Sequence, residues 1–343
     1  MSQENNIEAS VIIPCWNVAP WLPRCLDSVF TALPPRFEVI AVDDGSNDST
    51  GEILSSYAAR HCELKIITQG NRGVSSARNR ALNVCKGEYV FFVDPDDSVE
   101  PDFFKAMLSR VQSERADYCV VAFSGAKLKG VYEFTSNEEI LNGYVKRIFG
   151  YSFGDVERFN KGGRLFADRE MASVWRGVFK RSVIEEHGIR FDESIELYED
   201  AIFNAEYLVH ANKMTCVDRP LYNVTARESG AMRTVPRDAA RLCRNKLRLL
   251  MARERLDAVS GGRLWPMCEA SCVFSALEML SCICSRRIGL RKGWPILAEY
   301  VADERVARAL SAYPLSFRHP VYAAGTIFLR IVSRMVNITR CGS

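Results

Sequence analysis

Residues 9–123 alternate strand-like and helix-like segments without a break, and no other feature limits the fold so strongly. The runs ASVIIPC, FEVIAVDDGS, ELKIITQG, EYVFFVD and ADYCVVAF are short, apolar and rich in β-branched or aromatic residues. Between them PWLPRCLDSVFTAL, DSTGEILSSYAARH, VSSARNRALNVCKG and PDFFKAMLSRVQSE repeat apolar residues near every 3.6 positions. Strands that are apolar throughout are buried on both faces, and crossover helices make neighbouring strands parallel. The pattern predicts an α/β, Rossmann-like, mostly parallel sheet with helices on both faces. Ser49 or Asp48 is placed to cap the second helix, Gly87 to close the third and Pro101 to open the fourth.

In such sheets ligands bind beyond the carboxyl ends of the strands. Three runs carry polar groups to that edge: Pro14 to Asn17, Asp43 to Ser46 and Asp94 to Asp97. Asp96 and Asp97 cannot both stay ionised in a tight site without a counter-charge. A divalent cation supplies one. Carboxylate oxygens select Mg²⁺ or Mn²⁺, which is usually shared with substrate phosphates. The pair therefore points to a phosphate-bearing ligand such as a diphosphate; the alternative is a solvated loop with helix-capping acids. Asp102 suits a first-turn helix acid. Asp44, before Gly45, is either a turn residue or an acceptor for a base N–H. Arg72 and Arg78 either contact base or phosphate or lie on a solvated helix face. Trp16, beside Asn17, is either a stacking platform or a buried ring.

From 124 to 170 the pattern loosens, with glycines at 143, 150, 154, 162 and 163. Trp175 to Phe179 reads as a strand, Arg181 to Glu186 as a short helix ended by Gly188. A helix opens at Glu199–Asp200 and runs to about Ala211. Beyond 236 the chain reads as helices rich in Arg and Leu. We expect an α/β domain over 1–230 and a helical C-terminal region over 231–343. Near the end, Ile327, Phe328, Ile331, Val332 and Met335 form an apolar stripe accompanied by Arg330, Arg334 and Arg340. Such a helix either lies in the headgroup region of a membrane or packs as core.

The 343 residues allow two domains, and a net charge of +3 gives no case for nucleic acid. Twelve cysteines contain no C-x-x-C pair and only four histidines accompany them, so zinc-site spacing is absent. Small core hydrophobes in a reducing cytosol explain the cysteines. The N-terminus lacks a signal-peptide layout, and no run of eighteen apolar residues occurs. The expected location is the cytoplasm, with peripheral contact at the inner membrane face as the open reading of the tail.

VIIPCWN, EVIAVDDGSNDST, NRGVSSARNRAL and GEYVFFVDPDD, in that order and spacing, resemble glycosyltransferase family 2, with the GT-A fold. FDESIELYEDAIFNAEYL resembles the later family motif that carries an acid pair. The resemblance covers roughly residues 9 to 225. It implies an inverting, metal-dependent transfer from a nucleotide-sugar, commonly a UDP-sugar, to a hydroxyl of a glycan or lipid-linked acceptor, in bacterial surface-polysaccharide assembly. It implies that Asp44 reads the base, that Asp97 holds Mn²⁺ or Mg²⁺ with Asp96 beside the donor, and that Asp200 is the catalytic base. Pro14, Trp16, Asn17 and Arg78 are the further donor-binding candidates; Glu199, Asp94 and Arg72 are secondary ones. Trp16 stands where the family usually has Tyr, and Pro95 where it has a small residue. Without the resemblance, Glu199 and Asp200 read equally well as N-terminal helix acids. Two rival functions stand beside the transferase. One is a response-regulator-like phosphoacceptor domain, the other a catalytically inactive nucleotide-sugar-binding subunit.

Overall fold

The computed structural model describes residues 7–162, 169–225, 238–315 and 320–341. Contacts divide the chain into two units. The first is Met1–Val145, Glu170–Glu193 and Glu199–Arg227; the second is Lys146–Arg169, Ser194–Tyr198 and Glu228–Ser343. The expected boundary near residue 230 lies outside the described residues.

The first unit opens with β1 (Ala9–Cys15), α1 (Leu22–Ala32), β2 (Phe37–Asp44), α2 (Thr50–Ala58), β3 (Leu64–Gln69), α3 (Val74–Leu82) and β4 (Tyr89–Phe92). Then come β5 (Ser98–Val99), α4 (Phe103–Ser113), β6 (Tyr118–Phe123) and the short α5 (Asn137–Ile140). It ends with β7 (Gly177–Lys180), α8 (Arg181–Glu186), α9 (Glu199–His210) and β8 (Met214–Asn223). One eight-stranded sheet runs in the order β3-β2-β1-β4-β7-β6-β8-β5. Every residue of β1, β2 and β4 is buried, as their unbroken apolar runs require. Each Val, Ile or Phe so placed contributes roughly 1.5–3 kcal/mol of burial.

The expected parallel α/β sheet is present: β1 pairs parallel with β2 and β4, β2 with β3, and β6 with β8. Two strands depart from it. β7 is antiparallel to both β4 and β6, and the two-residue β5 is antiparallel to β8. The excursion over 124–176 leaves β6 at its carboxyl end and re-enters at the same edge, which forces β7 to run backwards. The strand expected at Trp175 begins two residues later, because Val174–Arg176 form a 3₁₀ turn.

Of three local expectations, the first holds through its second alternative and the other two need correction. Ser49 occupies the N-cap of α2 without a side-chain bond; Asp48 instead accepts from the N–H of Thr50 and of Ala19. α3 ends at Leu82, so Gly87 does not close it. Gly87 passes over β1, where a Cβ would lie 2.4 Å from the Ala9 carbonyl carbon. α4 begins at Phe103, after Pro101, with Asp102 at the N-cap and ion-paired to Arg219 at the surface.

The second unit contains α6 (Lys146–Ile148), α7 (Phe153–Asn160), α10 (Ala239–Val259), α11 (Trp265–Cys284), α12 (Leu290–Ala302), α13 (Glu304–Ala312) and α14 (Pro320–Cys341). Its own core gathers Leu242, Leu250, Cys272, Ala276, Leu297, Val306, Leu310, Leu329 and Val332. α11 is long and apolar enough to cross a membrane by length and composition, but 56% of its apolar window is buried inside the protein. Here it is the helix the others pack around. The eleven cysteines whose side chains are described are free thiols and eight of them are buried, in line with a core role.

Candidate active site

Because β1, β2 and β4 are parallel, Cys15, Asp44 and Phe92 end at one edge of the sheet. The loops that follow are tied together there. Asn17, with a left-handed φ of 49°, donates its N–H to Ser46 Oγ (3.0 Å), and its Oδ1 accepts from Asn47 N–H (2.8 Å). Pro14 is buried within β1. Trp16, next to it, is 51% exposed, so the buried-ring alternative does not hold.

Asp44 is buried, and its carboxylate organises the turn into α3. Oδ1 accepts from Gln69 Nε2 (2.8 Å) and Arg72 N–H (2.8 Å); Oδ2 accepts from Gly73 N–H (2.7 Å). Gly73 has φ 93°, a conformation that costs a side-chain-bearing residue energy, and it stands at the N-cap of α3. Oδ2 keeps one lone pair for a further donor. The Arg72 side chain is 69% exposed and lies 3.7 Å from Glu193, on the solvated side.

One turn into α3, Arg78 points inward and is only 3% exposed. Its Nη1 donates to Asp200 Oδ1 (2.7 Å) and lies 3.6 Å from Glu199 Oε1; its Nη2 donates to Asp94 Oδ1 (3.1 Å). Its guanidinium carbon also sits 5.1 Å from the centre of the Phe191 ring. The solvated-face alternative for Arg78 is therefore excluded. Burial alone would weaken its charge, but Asp200, Asp94 and Glu199 more than offset that and hold the proton tighter than usual.

Glu199 and Asp200 open α9, after Tyr198 in a left-handed conformation with φ 71°. Asp200 Oδ2 accepts from Val174 N–H (3.2 Å), so the carboxylate is held at both oxygens. Burial raises the pKa of both acids; Asp200 adds to the rise at Glu199 and Asp94 to that at Asp200, with Arg78 opposing each. The two titrate as one pair.

On the other side of Arg78, Asp94, Asp96 and Asp97 crowd the end of β4. Asp97 is 3% exposed, and its Oδ1 accepts from Thr225 N–H (2.7 Å). Burial first, then the charges of Asp94 and Asp96, push it up to about 7, against the hydrogen bonds from Thr225 and Tyr222. Asp96 is half-buried, and its carbonyl accepts from Arg24 Nη2 (2.9 Å). Tyr222, stacked on Trp175 at 4.2 Å, takes a hydrogen bond from Asp94 N–H (3.0 Å).

These acids suit a hard cation. Their oxygens are the donors Mg²⁺ and Mn²⁺ prefer, and a positive charge would relieve the repulsion that raises Asp97. Among the described residues no three acids, histidines or cysteines come together as a ligand set. The arrangement thus fits a cation that takes one or two carboxylates and completes its shell from a ligand's phosphates.

Sequence reasoning missed Tyr222, Thr225, Val174, Trp175 and Arg24 as supports of the site. They act through contacts across 26 to 128 positions, or through backbone N–H groups, and neither leaves a local pattern.

An open, mostly parallel sheet with acids gathered beyond its strands is the architecture of the GT-A class. The sequence model of Glycosyl transferase family 2 matches residues 10–181, half of the chain, and the chain belongs to that family. The uncharacterized glycosyltransferase EpsJ of Bacillus subtilis is 30% identical over 215 residues, which are 62% of this chain and 59% of EpsJ. The chain thus spans less than two thirds of that relative. S. aureus TarS 1-349, solved in complex with UDP-GlcNAc, superposes with a TM-score of 0.58 at 19% identity, over 98% of this chain and 92% of that one. The Pyrobaculum calidifontis mannosyltransferase PcManGT, in complex with GDP-Man and Mn²⁺, gives 0.50 at 16%, over 96% and 87%. At these identities the two structures speak for the fold.

Proposed function

We propose that the protein transfers a sugar, with inversion, from a nucleotide-sugar to a hydroxyl of a glycan or lipid-linked acceptor in cell-surface polysaccharide assembly. The donor is a UDP-sugar, as in the TarS complex. The observation that carries this reading is the Arg78 clamp. One buried guanidinium joins the acids beyond β4 to the acids that open α9, so a donor-side and an acceptor-side carboxylate share one support.

In this reading the base stacks on Trp16 and donates to the remaining lone pair of Asp44. Asp200 accepts the proton of the acceptor hydroxyl as that oxygen attacks the anomeric carbon opposite the diphosphate. The new C–O bond forms while the old one breaks, and the diphosphate leaves with the bonding pair. A raised pKa suits this base, and general-base help of this kind is worth about 10²–10⁴-fold. Asp97, with Asp96 beside it, is the candidate to hold Mn²⁺ or Mg²⁺. When bound there, the cation supplies positive charge against the departing diphosphate.

Calorimetry of UDP binding with Mn²⁺ or with chelator tests the metal side. Asp97→Asn is expected to remove the Mn²⁺ dependence and Asp96→Asn to reduce it; unchanged Mn²⁺ dependence in both variants would take the metal away from this pair. Turnover in a screen of nucleotide-sugars tests the chemistry. UDP binding without turnover of any donor would make the chain an inactive binding subunit. Membership of family 2 leaves the phosphoacceptor rival without support.

A further inference from the structure

Helix α14 is apolar on two sides. One side is core: Thr326, Leu329, Val332 and Ser333 are buried, and Ser333 Oγ donates to the Val301 carbonyl (2.7 Å). Here the core-packing expectation for Val332 holds. The other side faces out, with Val321 82%, Ile327 48%, Phe328 45%, Ile331 54% and Met335 63% exposed. At about 100° per residue these five span an arc of roughly 120°. Five of the seventeen large apolar residues exposed among those described thus lie on one helix face, which makes a patch rather than scatter.

The charge around this patch is one-sided. From Arg305 to Ser343 the chain has six arginines and no aspartate or glutamate. That stretch carries +6 in a chain whose net charge is +3, so the rest nets −3. Arg334 is exposed and borders the apolar arc, whereas Arg330 is turned to the carbonyls of Leu310 (2.5 Å) and Tyr313 (2.9 Å).

We infer that this face of α14 docks on an anionic lipid bilayer. The apolar arc enters the boundary between headgroups and acyl chains, and Arg334 at its border meets lipid phosphates. The charge argues against a second copy of the chain as the occupant, since pairing this face with itself would bring together two segments that carry arginines and no acid to complement them. A span is excluded, because the opposite face of the same helix is committed to the core. The inference goes beyond sugar transfer, and its test uses no donor.

The full chain is sedimented with vesicles of phosphatidylcholine containing or lacking phosphatidylglycerol, at low and high salt. Binding to the anionic vesicles, at least tenfold weaker on the neutral ones and weakened by salt, is expected. Phe328→Gln with Ile331→Gln should cut binding at least tenfold, and Arg334→Gln severalfold, with unchanged circular dichroism and melting. Three results would overturn the inference. They are no binding to anionic vesicles, equal binding by the Phe328/Ile331 variant, and self-association in analytical ultracentrifugation that this variant abolishes.

Discussion

Asp96–Asp97 and Glu199–Asp200 are both adjacent acids, both set at the end of an apolar segment, and each pair holds a carboxyl whose pKa is raised by burial. They differ in what faces them. Glu199 and Asp200 lie against the Arg78 guanidinium, at 3.6 and 2.7 Å, and Asp200 also has the Val174 N–H. Asp97 is met by a backbone N–H and a phenol, with Asp94 and Asp96 as like charges beside it. The second pair is thus faced by the protein's own cation, at Arg78; in the proposed reading the first meets a metal ion instead. Two adjacent acids thus meet different neighbours in the two places, a guanidinium in one and a backbone N–H with a phenol in the other.

The largest effect that would break this comparison is on chemistry. Asp200→Asn should lower turnover by about 10²–10⁴-fold while UDP affinity stays within about twofold. Loss of UDP binding in that variant would make the two pairs parts of one donor site. Next comes Arg78→Met, which leaves three half-buried carboxylates without their shared cation. Removing one partner of a buried ionic cluster costs about 3–5 kcal/mol, read as a lower urea midpoint, whereas Arg78→Lys should recover part of it. Unchanged stability in the Met variant would mean that water, not Arg78, holds these acids.

Two smaller effects sharpen the contrast. Trp16→Ala should leave stability within about 0.5 kcal/mol, as its ring is half exposed. It should weaken UDP binding about tenfold, within the roughly 1–3 kcal/mol range of base stacking. Last is pH. A base with a raised pKa works when deprotonated, so kcat should fall as pH drops through that raised value, above the usual carboxylate range. Glu199→Gln removes one charge beside the base and should move this acid limb down. A limb that does not move separates Glu199 from the titration.

Much of this site was legible before its shape was known. Strand ends could be placed from unbroken apolar runs such as Tyr89 to Val93, and polar residues after parallel strands must share an edge. Asp44 and Asp94 could be picked out in this way. Burial of Arg78 could not, because nothing around position 78 announces carboxylates at 199 and 200. β8 escaped notice because Asp218, Arg219 and Pro220 interrupt its apolar pattern at the surface. β7 escaped in direction rather than existence, since strand sense depends on how an excursion of about fifty residues returns.

The distance along the chain between Arg78 and Asp200 has a consequence for synthesis. Residues 9–92 contain the four adjacent strands β3, β2, β1 and β4, a block able to pair as soon as it leaves the ribosome. Asp200 follows Arg78 by 122 positions, which at translation rates of about 5–20 residues per second is roughly 6–24 s. During that interval the guanidinium has Asp94 but not its strongest partner, so the nascent sheet must keep α3 loosely docked or Arg78 in water. Closure of the clamp is then a late event, which waits for α9 to arrive.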